Sequence, residues 1–113
     1  MLFRSPQTHK VLGQSNPSAT TLTTLYTVPA ATQTICSSLA ICNTGSTATT
    51  YRVAVRPAGA AIATSQYLAY DAAIPANDTT ILTIGIALAA TDVVSVYGGN
   101  ANLAFSLYGC EVT

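Results

Sequence analysis

Residues 51–56 read YRVAVR, and this stretch decides the fold class. Side chains of a β-strand point alternately to its two faces, so a Tyr-Val-Val face here backs onto an Arg-Ala-Arg face. An apolar face backed by a polar one is typical of a strand that is half-buried in an antiparallel sheet. The stretch therefore predicts a β-strand, and a helical period of 3.6 does not fit it.

The same period of two recurs along the chain in runs separated by turn residues. In the last run, Leu103, Phe105 and Leu107 share one face. Residues 43–46 (NTGS) and 98–100 (GGN) have the composition of tight turns, and the runs are rich in the strand-forming residues Thr, Val, Ile and Tyr. We predict an all-β fold, a single-domain antiparallel β-sandwich or jelly roll of seven to eight strands.

The first 19 residues lack this regular pattern, and we predict an extended N-terminal arm over residues 1–19 and the sandwich domain over 20–113. Pro6 and Pro17 disfavour a helix in the arm, although a short strand fits residues 10–14. Extended segments bind by pairing with a sheet edge and placing a few side chains in pockets. We expect the arm to dock on a neighbouring subunit or a larger assembly through residues that include Leu2, Phe3, Arg4 and Lys10, and a frayed terminus is the alternative.

The chain is unusually poor in charge. Four basic and four acidic residues give a net charge of zero and a charged fraction of 7%, against about 25% in ordinary soluble domains. This balance argues against a nucleic-acid binder or a basic membrane-surface protein. A neutral surface suits a chain that packs against copies of itself, and we expect a homo-oligomer, with a trimer as the expected state. The charge-free run 34–43 suggests a strand that is buried on both faces.

The three cysteines are Cys36, Cys42 and Cys110. Cys36 and Cys42 lie in one predicted strand, about 20 Å apart along it, which is beyond the reach of a disulfide. We predict three unbridged thiols in a reducing compartment, because the first ten residues lack a secretory h-region. No His or Cys cluster has the spacing of a metal site, and we expect no metal or cofactor.

The sequence offers little catalytic chemistry. His9 is the only histidine, and no local motif pairs it with a nucleophile. The carboxylates are dispersed, and Asp78 and Asp92 follow turn residues, so we predict that both cap turns. We expect a protein that is not an enzyme.

Arg52 and Arg56 share a strand face about 13 Å apart. Two interpretations remain open: a solvated face, or intersubunit pairing with a carboxylate such as Asp71 or Glu111. The six tyrosines could stack on sugar rings, although the chain has no Trp.

Several motifs in order resemble a family of small virion structural proteins of tailed bacteriophages, frequent in cyanophages. They are LYTVPA at 25–30, RVAVRP at 52–57 and LAATDVV at 88–94, with VLGQ at 11–14, ICN at 41–43 and ANDT at 76–79. The resemblance runs from about Lys10 to Val112 and leaves the preceding arm outside it.

The resemblance implies a β-rich, non-enzymatic accessory protein of the virion and leaves its place on the particle open. We expect a chain that is made in the host cytoplasm and lies on the exterior of the particle. We expect a multi-copy capsid cement or decoration protein whose partners are its own copies and other virion proteins. A neck or tail-fibre component, a baseplate component, and a glycan-binding module for host attachment remain the alternatives.

Overall fold

The computed structural model describes residues 7–113, which form eight β-strands. The strands are β1 (Gln7–Ser15), β2 (Thr23–Thr27), β3 (Gln33–Asn43), β4 (Thr49–Arg56), β5 (Tyr67–Ile74), β6 (Thr79–Leu88), β7 (Val93–Gly98) and β8 (Leu103–Val112). Two short 3₁₀ turns, Pro57–Gly59 and Thr64–Gln66, lie between β4 and β5.

The strands form two four-stranded antiparallel sheets packed face to face. Sheet 1 has the order β1-β8-β3-β6, and sheet 2 has the order β2-β7-β4-β5. The first strand pairs with the last, the second with the seventh, the third with the sixth and the fourth with the fifth. This is a long antiparallel ribbon folded over on itself, the arrangement of a jelly roll. The all-β prediction and the strand number are confirmed.

The core fills the space between the two sheets. Leu39 and Phe105 from sheet 1 meet Val53 and Val94 from sheet 2, and all four side chains are almost completely buried. Each such side chain contributes about 1.5–3 kcal/mol through removal of its apolar surface from water. The predicted alternation is observed at Tyr51 and Val53 of β4 and at Leu103, Phe105 and Leu107 of β8, all of which are buried. It is imperfect at Val55, which is only partly buried, and at Ala54 on the opposite face, which is fully buried.

Strand β3 departs from the predicted alternation. A β-bulge at Ser37 shifts its register against both neighbours, so Cys36 and Leu39 both face the core. The extra residue reverses the parity of the strand and places Cys42 on the outer face, away from Cys36. Burial on both faces was the wrong expectation for the single chain, because outward-facing Ile35 is 51% exposed.

All four edge strands are irregular. Register shifts interrupt the pairing of β1 at Leu12, of β2 at Leu25, of β6 near Gly85 and of β5 around Tyr70. Gly85 has a φ of +50°, which is the left-handed region that favours glycine. Bulges twist an edge away from regular pairing, so they protect these edges although the chain has only one lysine.

Part of the predicted arm belongs to the sandwich. Residues 7–15 form β1, which pairs along its length with β8 and supplies one edge of sheet 1. A bulge at Leu12 turns that side chain toward the core, and Gly13 passes so close to the Leu25 carbonyl that a side chain there would collide with it. The sandwich therefore begins at β1, ahead of the expected boundary between residues 19 and 20.

Candidate functional site

The outer face of sheet 1 is apolar and open to solvent. Val11, Ile35, Ile81 and Tyr108 project from its four strands, and Ile81 is 66% exposed. The registers place Ala, Ser, Thr, Cys and Gln side chains around them. Within the described residues, the strand registers direct no Arg, Asp or Glu side chain to this face, and Lys10, which borders it, is paired with Glu111. An apolar area with several exposed aliphatic side chains is typical of a surface that another protein covers.

A groove of about 580 Å³ crosses this face between β1 and β3. Its floor contains Cys110 and Gly109, and its walls include Ile35, Tyr108 and His9. The groove is wide and shallow, so its shape suits the surface of another protein better than an enclosed small molecule.

A polar network joins the two sheets at one end of the sandwich. The Tyr26 hydroxyl of β2 donates to the Glu111 carboxylate of β8 at 2.6 Å. A second 2.7 Å bond joins it to Thr34 of β3, and Thr34 must be the donor because the phenol has one proton. Lys10 of β1 completes the network with a 2.7 Å ion pair to the other Glu111 oxygen.

The network explains the altered acidities of its members. Hydrogen bonds from Lys10 and from Tyr26 lower the pKa of Glu111, since both stabilise the carboxylate. Burial, and then the bond to that carboxylate, raise the pKa of Tyr26. Lys10, a predicted interaction residue, therefore has a partner within its own chain.

Arg52 is the centre of a cluster on the outer face of sheet 2. Its guanidinium binds Asp71 through Nε–Oδ1 (2.7 Å) and Nη2–Oδ2 (3.2 Å) bonds. It also stacks on the rings of Tyr70 and Tyr97, with its central carbon 4.1 and 4.2 Å from the two centroids. The hydrogen bonding that Arg52 donates to Asp71 is the main cause that raises the pKa of Arg52. The structure thus pairs Arg52 and Asp71 within one chain, where the sequence had suggested an intersubunit pair.

Bulges in β5 create this cluster. Tyr67 and Tyr70 are three residues apart and would point to opposite faces of a regular strand. Register shifts against β4 put both rings on the outer face, where they meet edge to face at 4.9 Å. Asp71 occupies the bulge with a φ of +52°, and this left-handed turn directs its carboxylate to Arg52. The alternation of side chains along a regular strand does not predict this cluster, because no residue pattern in the sequence indicates the bulge.

Arg56 and Asp92 hold the loop after β4. Arg56 donates from Nε to the Ala60 carbonyl at 2.7 Å and from Nη2 to that of Gly59 at 3.1 Å. Asp92 accepts from the backbone N–H groups of Ala58 and Ala89. The prediction that Asp92 caps a turn is confirmed, and Arg56 acts within the chain as well.

Three predicted interaction residues, Leu2, Phe3 and Arg4, lie outside the described residues. Among residues 7–113, the cysteines are unbridged and no group of three His, Cys, Asp or Glu side chains comes together as a metal site. No helix within that range is long and apolar enough to cross a membrane. Ser95 has the one buried side-chain oxygen there without a hydrogen-bond partner.

No protein family, no curated protein and no solved structure matches this chain in comparisons with known proteins.

Proposed function

We propose that the chain is a non-enzymatic structural protein of a tailed-phage virion, present in many copies on the exterior of the particle. Our first assignment within that class is a capsid cement or decoration protein. The sequence motifs at 25–30, 52–57 and 88–94 suggested the class, and the features of the folded chain that support it are physical ones.

The observation that carries the proposal is the outer face of sheet 1, where Ile35, Ile81 and Tyr108 are exposed. Among the described residues, the one charged side chain that borders this face is Lys10, and it is paired with Glu111. We propose that a second copy of the chain covers this face. Four strands about 4.8 Å apart and about 30 Å long give a flat area of about 600 Å². Side-chain relief raises the accessible area toward the roughly 800 Å² per partner of a standard interface.

The use of charge supports the same conclusion. Lys10 with Glu111 and Arg52 with Asp71 are paired inside the chain, while Arg56 binds carbonyl groups of its own loop. Few charges remain to repel a neighbouring copy, so close packing of many copies costs little electrostatic energy. Eight-stranded jelly rolls occur in viral capsid proteins, and this shared architecture supports the proposal as an analogy of fold.

Other positions on the particle remain the alternatives. A neck or tail-fibre component, or a baseplate component, would use the same apolar face in a ring or trimer of few copies. Copy number separates them, because a cement protein covers a capsid in hundreds of copies and a fibre contributes a few to tens.

The test is quantitative mass spectrometry of purified particles from the phage that encodes this chain, with the major capsid protein as internal standard. The cement assignment predicts hundreds of copies per particle. A few to tens of copies would replace it with the fibre, neck or baseplate alternative. Absence from washed particles, in lysates where the protein is abundant, would contradict the whole proposal.

A further inference from the structure

We propose that the cluster of Tyr67, Tyr70 and Tyr97 around Arg52 and Asp71, which we name the tyrosine site, binds a neutral saccharide. The site lies on the outer face of sheet 2, and the proposed packing of copies through sheet 1 does not use it.

The rings supply a stacking surface. Tyr70 is 58% exposed, its ring lies against the Arg52 guanidinium on one side, and Tyr67 meets it edge to face. Aromatic rings offer a flat apolar surface with a polar tip, which matches the alternation of C–H and hydroxyl groups on a sugar. From the sequence alone, sugar binding had little support, because the chain has no Trp. The folded chain brings three of the six together.

The polar groups around the rings have unused hydrogen-bonding capacity. Within residues 7–113, the hydroxyls of Tyr67, Tyr70 and Tyr97 form no hydrogen bond to another residue. The Tyr26 hydroxyl, by contrast, bonds to both Thr34 and Glu111. Arg52 uses two of its five N–H groups on Asp71. The remaining donors, the carboxylate lone pairs and the phenols together present both donors and acceptors, as a ring of sugar hydroxyls requires.

The charge of the site selects a neutral ligand. Arg52 and Asp71 cancel each other through two hydrogen bonds, and the central carbon of the guanidinium lies over the rings of both Tyr70 and Tyr97. An anionic ligand would have to separate this pair before it could use the positive charge. A neutral sugar can bond to the outer edges of the pair and leave it intact.

The site is also held in place before any ligand arrives. Arg52 comes from β4, Tyr97 from β7, and Tyr67, Tyr70 and Asp71 from the bulged β5, so three adjacent strands of one sheet fix its members. Side chains that are already ordered lose little entropy when a ligand binds.

The experiment begins with an array of neutral oligosaccharides built from glucose, galactose, mannose and N-acetylglucosamine, with sialylated and sulfated sugars alongside. The best free neutral sugar is then titrated against ¹⁵N-labelled protein. We expect saturable binding with shifts at β4, β5 and β7. The substitution Tyr70→Ala should weaken it about tenfold or more, since the ring is the most exposed surface of the site.

The control is Ile62→Ala, which removes an exposed apolar side chain of the loop after β4, outside the tyrosine site and outside sheet 1, and should leave the titration unchanged. Tyr70→Phe keeps the ring and should lose less affinity than Tyr70→Ala, so it separates stacking from hydrogen bonding. Circular dichroism checks that each variant is folded. The proposal is overturned if no neutral sugar binds at millimolar concentration, if only the acidic sugars bind, or if Tyr70→Ala and Ile62→Ala behave alike.

Discussion

Tyr26 and Glu111 bond across the sandwich, phenol to carboxylate at 2.6 Å, and so connect β2 of sheet 2 to β8 of sheet 1. Thr34 bonds to the Tyr26 hydroxyl, and Lys10 pairs with the second carboxylate oxygen of Glu111. Glu111 must therefore stay ionised to accept the hydrogen bond from Tyr26 and to pair with Lys10.

We predict that the network makes the folded chain less stable at acidic pH. The pKa of Glu111 is lowered in the folded chain, chiefly by Lys10 and then by Tyr26, so the unfolded chain binds more protons as the pH falls below about 4.5. Its stabilising contribution is complete above that value and is lost as the pH drops through the folded pKa. Thermal midpoints measured from pH 6 to pH 3 should fall less steeply in Glu111→Gln than in the natural chain. Equal slopes would contradict the role given to Glu111.

Tyr26→Phe tests the same network from its other end. The substitution keeps the buried ring and removes the hydroxyl, which leaves Glu111 and Thr34 each without one partner. We expect a loss of about 1–3 kcal/mol in the free energy of unfolding at pH 7, measured by urea titration. A loss below about 0.5 kcal/mol would show that water replaces the phenol without cost.

The thiols should differ sharply in reactivity. Cys36 is fully buried and burial raises its pKa to about 11, while Cys42 is partly exposed on the outer face of sheet 1. In dilute protein at pH 8, Ellman's reagent should modify Cys42 first and Cys36 only after unfolding, because the thiolate is the reactive form. The intact mass without reduction should correspond to three free thiols. A Cys36–Cys42 disulfide would refute the bulged strand that separates them.

Self-association should depend on the outer face of sheet 1. Ile81→Asp places a charge at its most exposed aliphatic position, where burial against a second copy would leave the carboxylate without water. We expect at least about tenfold weaker association by light scattering at micromolar concentration, with little change in the thermal midpoint. Ile62→Asp is the matched control, since Ile62 is exposed in the loop after β4 and outside sheet 1. If the natural chain is monomeric, or if both variants weaken association equally, the outer face of sheet 1 does not mediate self-association.

The N-terminal residues allow two deletions with opposite expectations. Removing residues 1–6 leaves β1 complete, so we expect the thermal midpoint to stay within a few degrees while incorporation into particles weakens. Removing residues 1–15 takes away β1 and Lys10 and uncovers the edge of β8, so we expect a fall of more than about 10 °C or failure to fold. Normal incorporation of the shorter deletion would show that Leu2, Phe3 and Arg4 make no docking contact.

The sequence predicts the strands well and their irregularities poorly. Alternation over β4 and β8 is enough to identify their inward faces, because burial of one face is a local pattern. A bulge such as that at Ser37 or Asp71 depends on how neighbouring strands align, and this information is spread over distant residues. From the sequence, Arg52 and Arg56 either faced solvent or paired with a carboxylate of a neighbouring copy, such as Asp71 or Glu111. Only the fold shows that Arg52 pairs with Asp71, and Lys10 with Glu111, within one chain.

Electron microscopy of purified particles that carry a labelled copy of this chain tests the central claim most directly. The account predicts label on the capsid exterior, repeated at the lattice positions of the shell, with sheet 1 turned toward neighbouring copies and the tyrosine site toward solvent. Particles without label, prepared from lysates in which the labelled protein is folded and abundant, would contradict it.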